Sequence, residues 1–189
     1  MIPRILAICL CLLAPALAFG ATDDGFGAST RVDSEHFLIY YKPRVDINQL
    51  IDQLKISKTD EILTDQVVNR TSAQLQLSSM VEVLFARACD ILDMHVYSLK
   101  ANIKIFATQK DLTDYYNNLF HAHLPCTGFG FYLDDTRSIY LSAENFRREV
   151  LGHEMGHAVM SRYFVVQPSG RIQEVLAGYV EYQLRKSKS

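Results

Sequence analysis

Residues 151–160 read Leu-Gly-His-Glu-Met-Gly-His-Ala-Val-Met, an apolar run carrying His153, Glu154 and His157 between two glycines, Gly152 and Gly156. Leu151, Ala158, Val159 and Met160 mark the run as a largely buried helix. Imidazole and carboxylate groups in such a helix are costly without partners. Each glycine costs roughly 1 kcal/mol against alanine in a helix interior, and each lets another backbone come close. The chain must therefore fold so that this helix packs tightly on a second element and its polar groups meet something. At about 100° per residue, positions four apart differ by about 40°, so the two imidazoles project from one face. Glu154 stands about 60° round from His157. Two neutral ring nitrogens with a carboxylate beside them suit Zn²⁺ and a general base acting on water. The plainer alternative is a helix with two ordinary, half-exposed histidines.

A catalytic zinc takes three protein ligands and keeps one position open. The longer zinc pattern, with Gly three and His six residues after the second His, fails here because those positions hold Met160 and Tyr163. A second helix is the better continuation. Gln167-Pro168-Ser169-Gly170 is a turn signal, and Ile172, Val175, Leu176, Tyr179 and Val180 then recur as an apolar stripe at helical spacing. Glu174 falls in the first turn, with Ala177 and Gly178 on nearly the same side, where small residues would allow a close approach to the His153/His157 helix. Glu174 is also what a helix dipole favours near an N-terminus. Glu181, two turns on, faces almost the same way and is either a rival ligand or a group supporting a ligand from behind.

His-Glu-Met-Gly-His, a short turn, and Glu174-Val-Leu-Ala-Gly-Tyr-Val-Glu181 resemble the gluzincin metallopeptidases. The likeness is nearest to the small peptidase MA-like proteins, whose second motif reads roughly Glu-Gly-x-Ala-x-Tyr-x-Glu. Ala177, Tyr179 and Glu181 match it, and Val175 stands where Gly is usual. Ser34-Glu35-His36-Phe37-Leu38-Ile39-Tyr40-Tyr41 is similar to the opening strand of the group. Gly128-Phe-Gly-Phe-Tyr132 and Ser138-Ile-Tyr-Leu-Ser142 are similar to its hairpin before the zinc helix. The resemblance implies an α+β, minimal zincin-like fold with a small mixed sheet, an edge strand and long helices. It implies Zn²⁺ held by His153, His157 and Glu174, with Glu154 as catalytic base and Glu181 and Tyr179 in support. It also implies that an extended peptide substrate adds to the sheet edge, a role that would fall to Ser138–Ser142; the alternative for Tyr140 and Leu141 is a plain core strand.

Arg4, the apolar stretch Ile5–Leu17 and the small residues of Ala16-Leu17-Ala18 or Ala18-Phe19-Gly20 read as a cleavable signal peptide over residues 1–20. The run is too short to favour a membrane span. The expected product is a single domain, 21–189, exported to a periplasmic or extracellular space. Removing Arg4 moves the formal charge from -2 to -3, and without a long basic run nucleic acid is a poor partner. Cys89 and Cys126 could pair in an oxidising compartment or remain two buried thiols.

Between the ends, Ala21–Thr30 reads as a loose lead-in and His36–Tyr41 as a strand. Ile47–Gln66 holds one or two short helices. A long helix is expected from about Thr71 to Met94, with Leu77, Met80, Val81, Leu84, Ala88, Ile91 and Leu92 inward. Asn102–Ala107 is a second strand and Asp111–Phe120 a short helix. Phe129–Tyr132 and Ser138–Leu141 form a hairpin about residues 133–137. Tyr163, Tyr179, Tyr182 and Arg171 are the candidates for stabilising an oxyanion, though each also suits packing or surface. His121 and His123 read as solvated, and His36 and His95 receive no role.

The expected activity is thus zinc-dependent hydrolysis of peptide bonds by an exported enzyme, its cleft open or completed by a partner. Two rivals stand beside it: a zinc-binding scaffold that cleaves nothing, and an exported binding protein without metal.

Overall fold

The computed structural model describes residues 25–55, 72–121 and 129–187. Among them the chain runs β1 (Thr30–Asp33), β2 (Phe37–Tyr41), α1 (Ile47–Leu54), α2 (Ala73–Leu92), β3 (Ala101–Phe106), α3 (Gln109–Phe120), β4 (Gly130–Leu133), β5 (Ser138–Ser142), α4 (Arg148–Tyr163) and α5 (Gly170–Lys186). The expected signal segment, Cys126 as the expected partner of Cys89, and His123 lie outside the described residues. Cys89 is buried on α2, and burial raises its thiol pKa.

The strands form one mixed sheet in the order β1-β2-β3-β5-β4, so the protein is α+β. The central strands β2, β3 and β5 are mutually parallel, while β1 and β4 close the two edges antiparallel. Register aligns Ile39 with Ile103 and Ile103 with Ile139, then Tyr41 with Ile105 and Ile105 with Leu141. These rows make one apolar face, against which the buried sides of α1, α2 and α4 pack in a single core. The opposite face carries Tyr40, Lys104 and Tyr140 in register, and it meets Leu112 of α3 together with Phe26 and Phe106. Parallel central strands covered on both faces explain the nearly unbroken burial of β3 and β5.

Side chains close the helix starts. Asp46 accepts from the Asn48 N–H at 2.9 Å, Ser72 from Leu75 at 3.4 Å and Thr108 from Asp111 at 3.1 Å, each satisfying an amide that the helix leaves without an internal partner. Asp93 ends α2 in the left-handed region, φ 53°. Leu77, Met80, Val81, Leu84 and Ala88 face the core as their spacing predicts, and Ile91 and Leu92 pack at its margin.

Three expectations are corrected. β1 begins at the last residue of the expected lead-in and is not among the expected strands, because only Val32 of its four residues is buried and a strand this short carries no alternation to detect. The sheet edge beside the zinc-motif helix is β4, not Ser138–Ser142. β5 pairs with β3 on one side and β4 on the other, and all five of its residues are buried, so it is the core strand that Tyr140 and Leu141 also allowed. On α5 the inward residues are Ala177, Val180 and Leu184. Ile172, Val175 and Tyr179 are exposed, because α5 meets the glycines of α4 through a different face.

Candidate metal centre

Helix α4 carries His153, Glu154 and His157, and α5 returns beside it after the short connection 164–169. The Gln167 side chain donates to the carbonyls of Ser161 at 3.1 Å and Phe164 at 2.9 Å, and so covers the end of α4. Gln173 Nε2 donates to the Pro168 carbonyl at 2.9 Å, tying the first turn of α5 to the same connection.

The two glycines set how close the helices come. A β-carbon on Gly156 would stand 3.4 Å from Ala177 Cα, and one on Gly152 would run into Leu184 Cδ1. Gly178 has open space where its side chain would be, so of the two small residues expected at the contact only Ala177 makes it.

This approach brings Glu174 over the histidines. Glu174 Oε2 is 3.6 Å from His153 Nε2, and Oε1 is 3.5 Å from His157 Nε2. One donor atom from each of the three residues falls within 4.8 Å of the others. Two ligands on a tetrahedral zinc, with bonds of about 2.0–2.1 Å, stand about 3.3 Å apart, so the spacing fits a small divalent cation with little adjustment. Two imidazoles and one carboxylate are also the donor types that a catalytic zinc takes. The histidine side chains are 21 % and 13 % exposed and Glu174 is 67 % exposed, so the donors meet at the surface, within reach of water and solutes.

Groups behind the donors hold them in place. His153 turns Nε2 to Glu174, and its buried Nδ1 lies 3.3 Å from Glu181 Oε2 without forming a hydrogen bond to it. The other oxygen of Glu181 is bound by Arg185. Burial and the neighbouring His153 lower the His157 pKa, while Glu174 and a hydrogen bond with Gln173 oppose the shift. The net effect favours the neutral ring that a metal requires.

Glu154 is 6 % exposed. Burial, then repulsion from Glu174 and Glu181, pushes its pKa up to about 8, and the backbone N–H of Tyr132 on β4 partly offsets this by donating to it. A β-carbon on Gly130 would crowd Leu141 Cδ2 and the Tyr140 carbonyl of β5, and would stand in ordinary contact, 3.4 Å, with Glu154 Cγ, so the edge strand lies close over both. The Tyr132 hydroxyl bonds Ser161 of α4 at 3.0 Å and Asp134 at 3.1 Å, which anchors the strand to the helix.

Glu181 is therefore where a supporting group is expected, and Tyr179 is not. Tyr179 is 47 % exposed and lies about 140° round the helix from Glu174, turned away from α4. Tyr163, Tyr182 and Arg171 are exposed as well. Gln173, Gly130 and Tyr132 carry no motif of their own; the only sequence signal was their adjacency to Glu174 and to the hairpin. His36, which had no role, has a structural one. Its Nδ1 lies 2.7 Å from Glu82 Oε2 and its N–H donates to Oε1 at 2.8 Å, joining β2 to α2. His121 ends α3 with φ 48° and is exposed.

No protein family, curated protein or solved structure matches the chain.

Proposed function

We propose that the protein is an exported, zinc-dependent peptidase of gluzincin type on a minimal zincin-like fold. The carrying observation is the approach of Glu174 to both Nε2 atoms at 3.5–3.6 Å, with the buried Glu154 directly beside them. His153, His157 and Glu174 would hold the ion. When bound, it supplies Lewis-acid polarisation of the scissile carbonyl and makes water more acidic.

Glu154 accepts a proton from the attacking water and returns one to the leaving amine. Its raised pKa gives it proton affinity near neutrality, where a base is most effective. A cation among the three donors would counter the burial and repulsion and keep Glu154 ionised before the step. The Tyr132 N–H fixes the direction of that carboxylate, Gln173 holds the His157 ring, and Glu181 lies behind the His153 ring. The β4 edge, running past Glu154, offers an extended peptide a strand to pair with.

Zinc content and hydrolysis measured together test the reading. Wild type purified gently should carry one zinc per chain and cleave unstructured peptides, with loss on chelation and return on adding zinc. Glu154→Gln should keep its zinc and lose about 10²–10⁴-fold in kcat. Full zinc in Glu174→Ala would move the third ligand to Glu181. Stoichiometric zinc without hydrolysis of any peptide would favour a binding scaffold, and no zinc at all would end the metal reading.

A further inference from the structure

The two faces of β4 are unlike. Gly130 and Tyr132 turn toward α4, against Glu154 and Ser161. Phe131 and Leu133 turn the opposite way and pack on the cluster of Phe26, Phe106, Leu112 and Tyr140. On that side the rings form a row. Phe131 stacks on Tyr140 with centroids 4.8 Å apart and planes at 18°, and it meets Tyr116 edge-on at 5.2 Å and 75°. Phe120 stands 6.4 Å from Phe131 and 4.6 Å from Tyr116. The inner end of the row is closed, with Tyr140 fully buried. The outer end lies beside the edge of the sheet, which no other strand among the described residues pairs with, and Phe120 at the end of α3 is 46 % exposed.

Residues directly opposite each other in a β-pair share a face, with Cβ atoms about 4.5–5.5 Å apart, and neighbours along a strand alternate. A peptide laid along β4 therefore places the residue opposite Phe131 over this row, while the residues on either side of it point toward α4 and the metal donors. Stacked and edge-on rings favour a further ring over an aliphatic side chain of similar size, through the fit of negative faces to positive edges.

We propose that Phe131, Tyr116 and Phe120 form a specificity subsite, taking an aromatic side chain of the extended peptide at the position opposite Phe131. The inference rests on the peptidase reading and adds which peptides are chosen.

The test uses zinc-loaded Glu154→Gln protein and a set of labelled peptides in which one Phe is moved along an otherwise Ala- and Ser-based chain. Binding is read by fluorescence anisotropy, and hydrolysis of the same peptides by wild type is followed in parallel. One Phe position should bind about tenfold more tightly than the parent peptide. Phe120→Ala, at a half-exposed helix end, should bring that ratio close to one without changing zinc content. Phe131→Leu, which keeps apolar bulk under the sheet, should reduce it as well. A ratio unchanged in both variants, or no preferred position, overturns the subsite. Hydrolysis by wild type with no aromatic preference keeps the peptidase reading and overturns the subsite. A Phe120-dependent binding preference without hydrolysis removes the peptidase reading and supports the subsite as a peptide-binding feature.

Discussion

Glu181 Oε2 stands 3.3 Å from Nδ1 of His153, whose Nε2 faces Glu174. The two atoms are not hydrogen-bonded, but a small turn of either side chain would join them, and a carboxylate bonded to the far nitrogen of a ligating ring fixes its tautomer and raises its basicity. Glu181→Ala should therefore weaken zinc binding about 10–100-fold in a chelator competition, while leaving the fold and the peptide preference intact. Unchanged affinity would reduce Glu181 to a partner of Arg185.

Gly152 and Gly178 should respond to alanine in opposite directions. A β-carbon at 152 meets Leu184 and Val180 across the α4–α5 contact, and overpacking a close helix pair costs about 1–3 kcal/mol. At 178 the space is open, and alanine should add roughly 0.5–1 kcal/mol through helix propensity. Denaturation midpoints of Gly152→Ala and Gly178→Ala check both signs, and Gly152→Ala should also lose metal because Glu174 is pushed away.

In the metal-free protein Glu154 should make the fold less stable as pH rises. Glu154 has a folded pKa of about 8 against an ordinary value of 4.5, so between these pH values the folded carboxylate holds its proton when the unfolded one does not. Its contribution therefore falls from about pH 4.5 to pH 8, by on the order of a few kcal/mol, while His157, whose pKa is lowered in the fold, acts in the opposite sense below pH 6.5. Glu154→Gln removes this slope, and added zinc should stabilise wild type more at pH 8 than at pH 6, because binding releases protons. Melting temperatures over this range, with and without chelator, show it. A wild-type slope no different from that of Glu154→Gln would mean Glu154 is ordinary.

Arg148 joins two helix ends. It is 2 % exposed and donates from Nη1 to the Lys55 carbonyl at 2.6 Å and from Nη2 to the Leu184 carbonyl at 2.9 Å. A guanidinium at two C-terminal ends satisfies carbonyls that the helices cannot pair and offsets their negative dipoles. Arg148→Met should lower stability by about 2–4 kcal/mol, seen as a shifted urea midpoint, without altering the affinity of the three metal donors.

The amino-acid order alone was enough for the long elements and for two imidazoles on one face of a helix. Leu77, Met80, Val81, Leu84 and Ala88 recur at helical spacing and do face one core, and the four-residue step from His153 to His157 places both rings on one side of a helix whatever surrounds it. Local geometry decides such features, so a linear pattern carries them. It could not decide which strand lies at the edge. β4 and β5 both carry aromatic and aliphatic residues, and their order depends on β5 pairing with β3, a contact between residues far apart in the chain. Nor could it orient α5. Ile172, Val175 and Tyr179 form a regular apolar stripe, yet Gly152 and Gly156 of α4 meet Ala177, Val180 and Leu184 instead, and this close helix contact leaves the stripe facing solvent. The distance from Glu174 to the two rings is a consequence of that helix contact, and so it was decided by the tertiary structure.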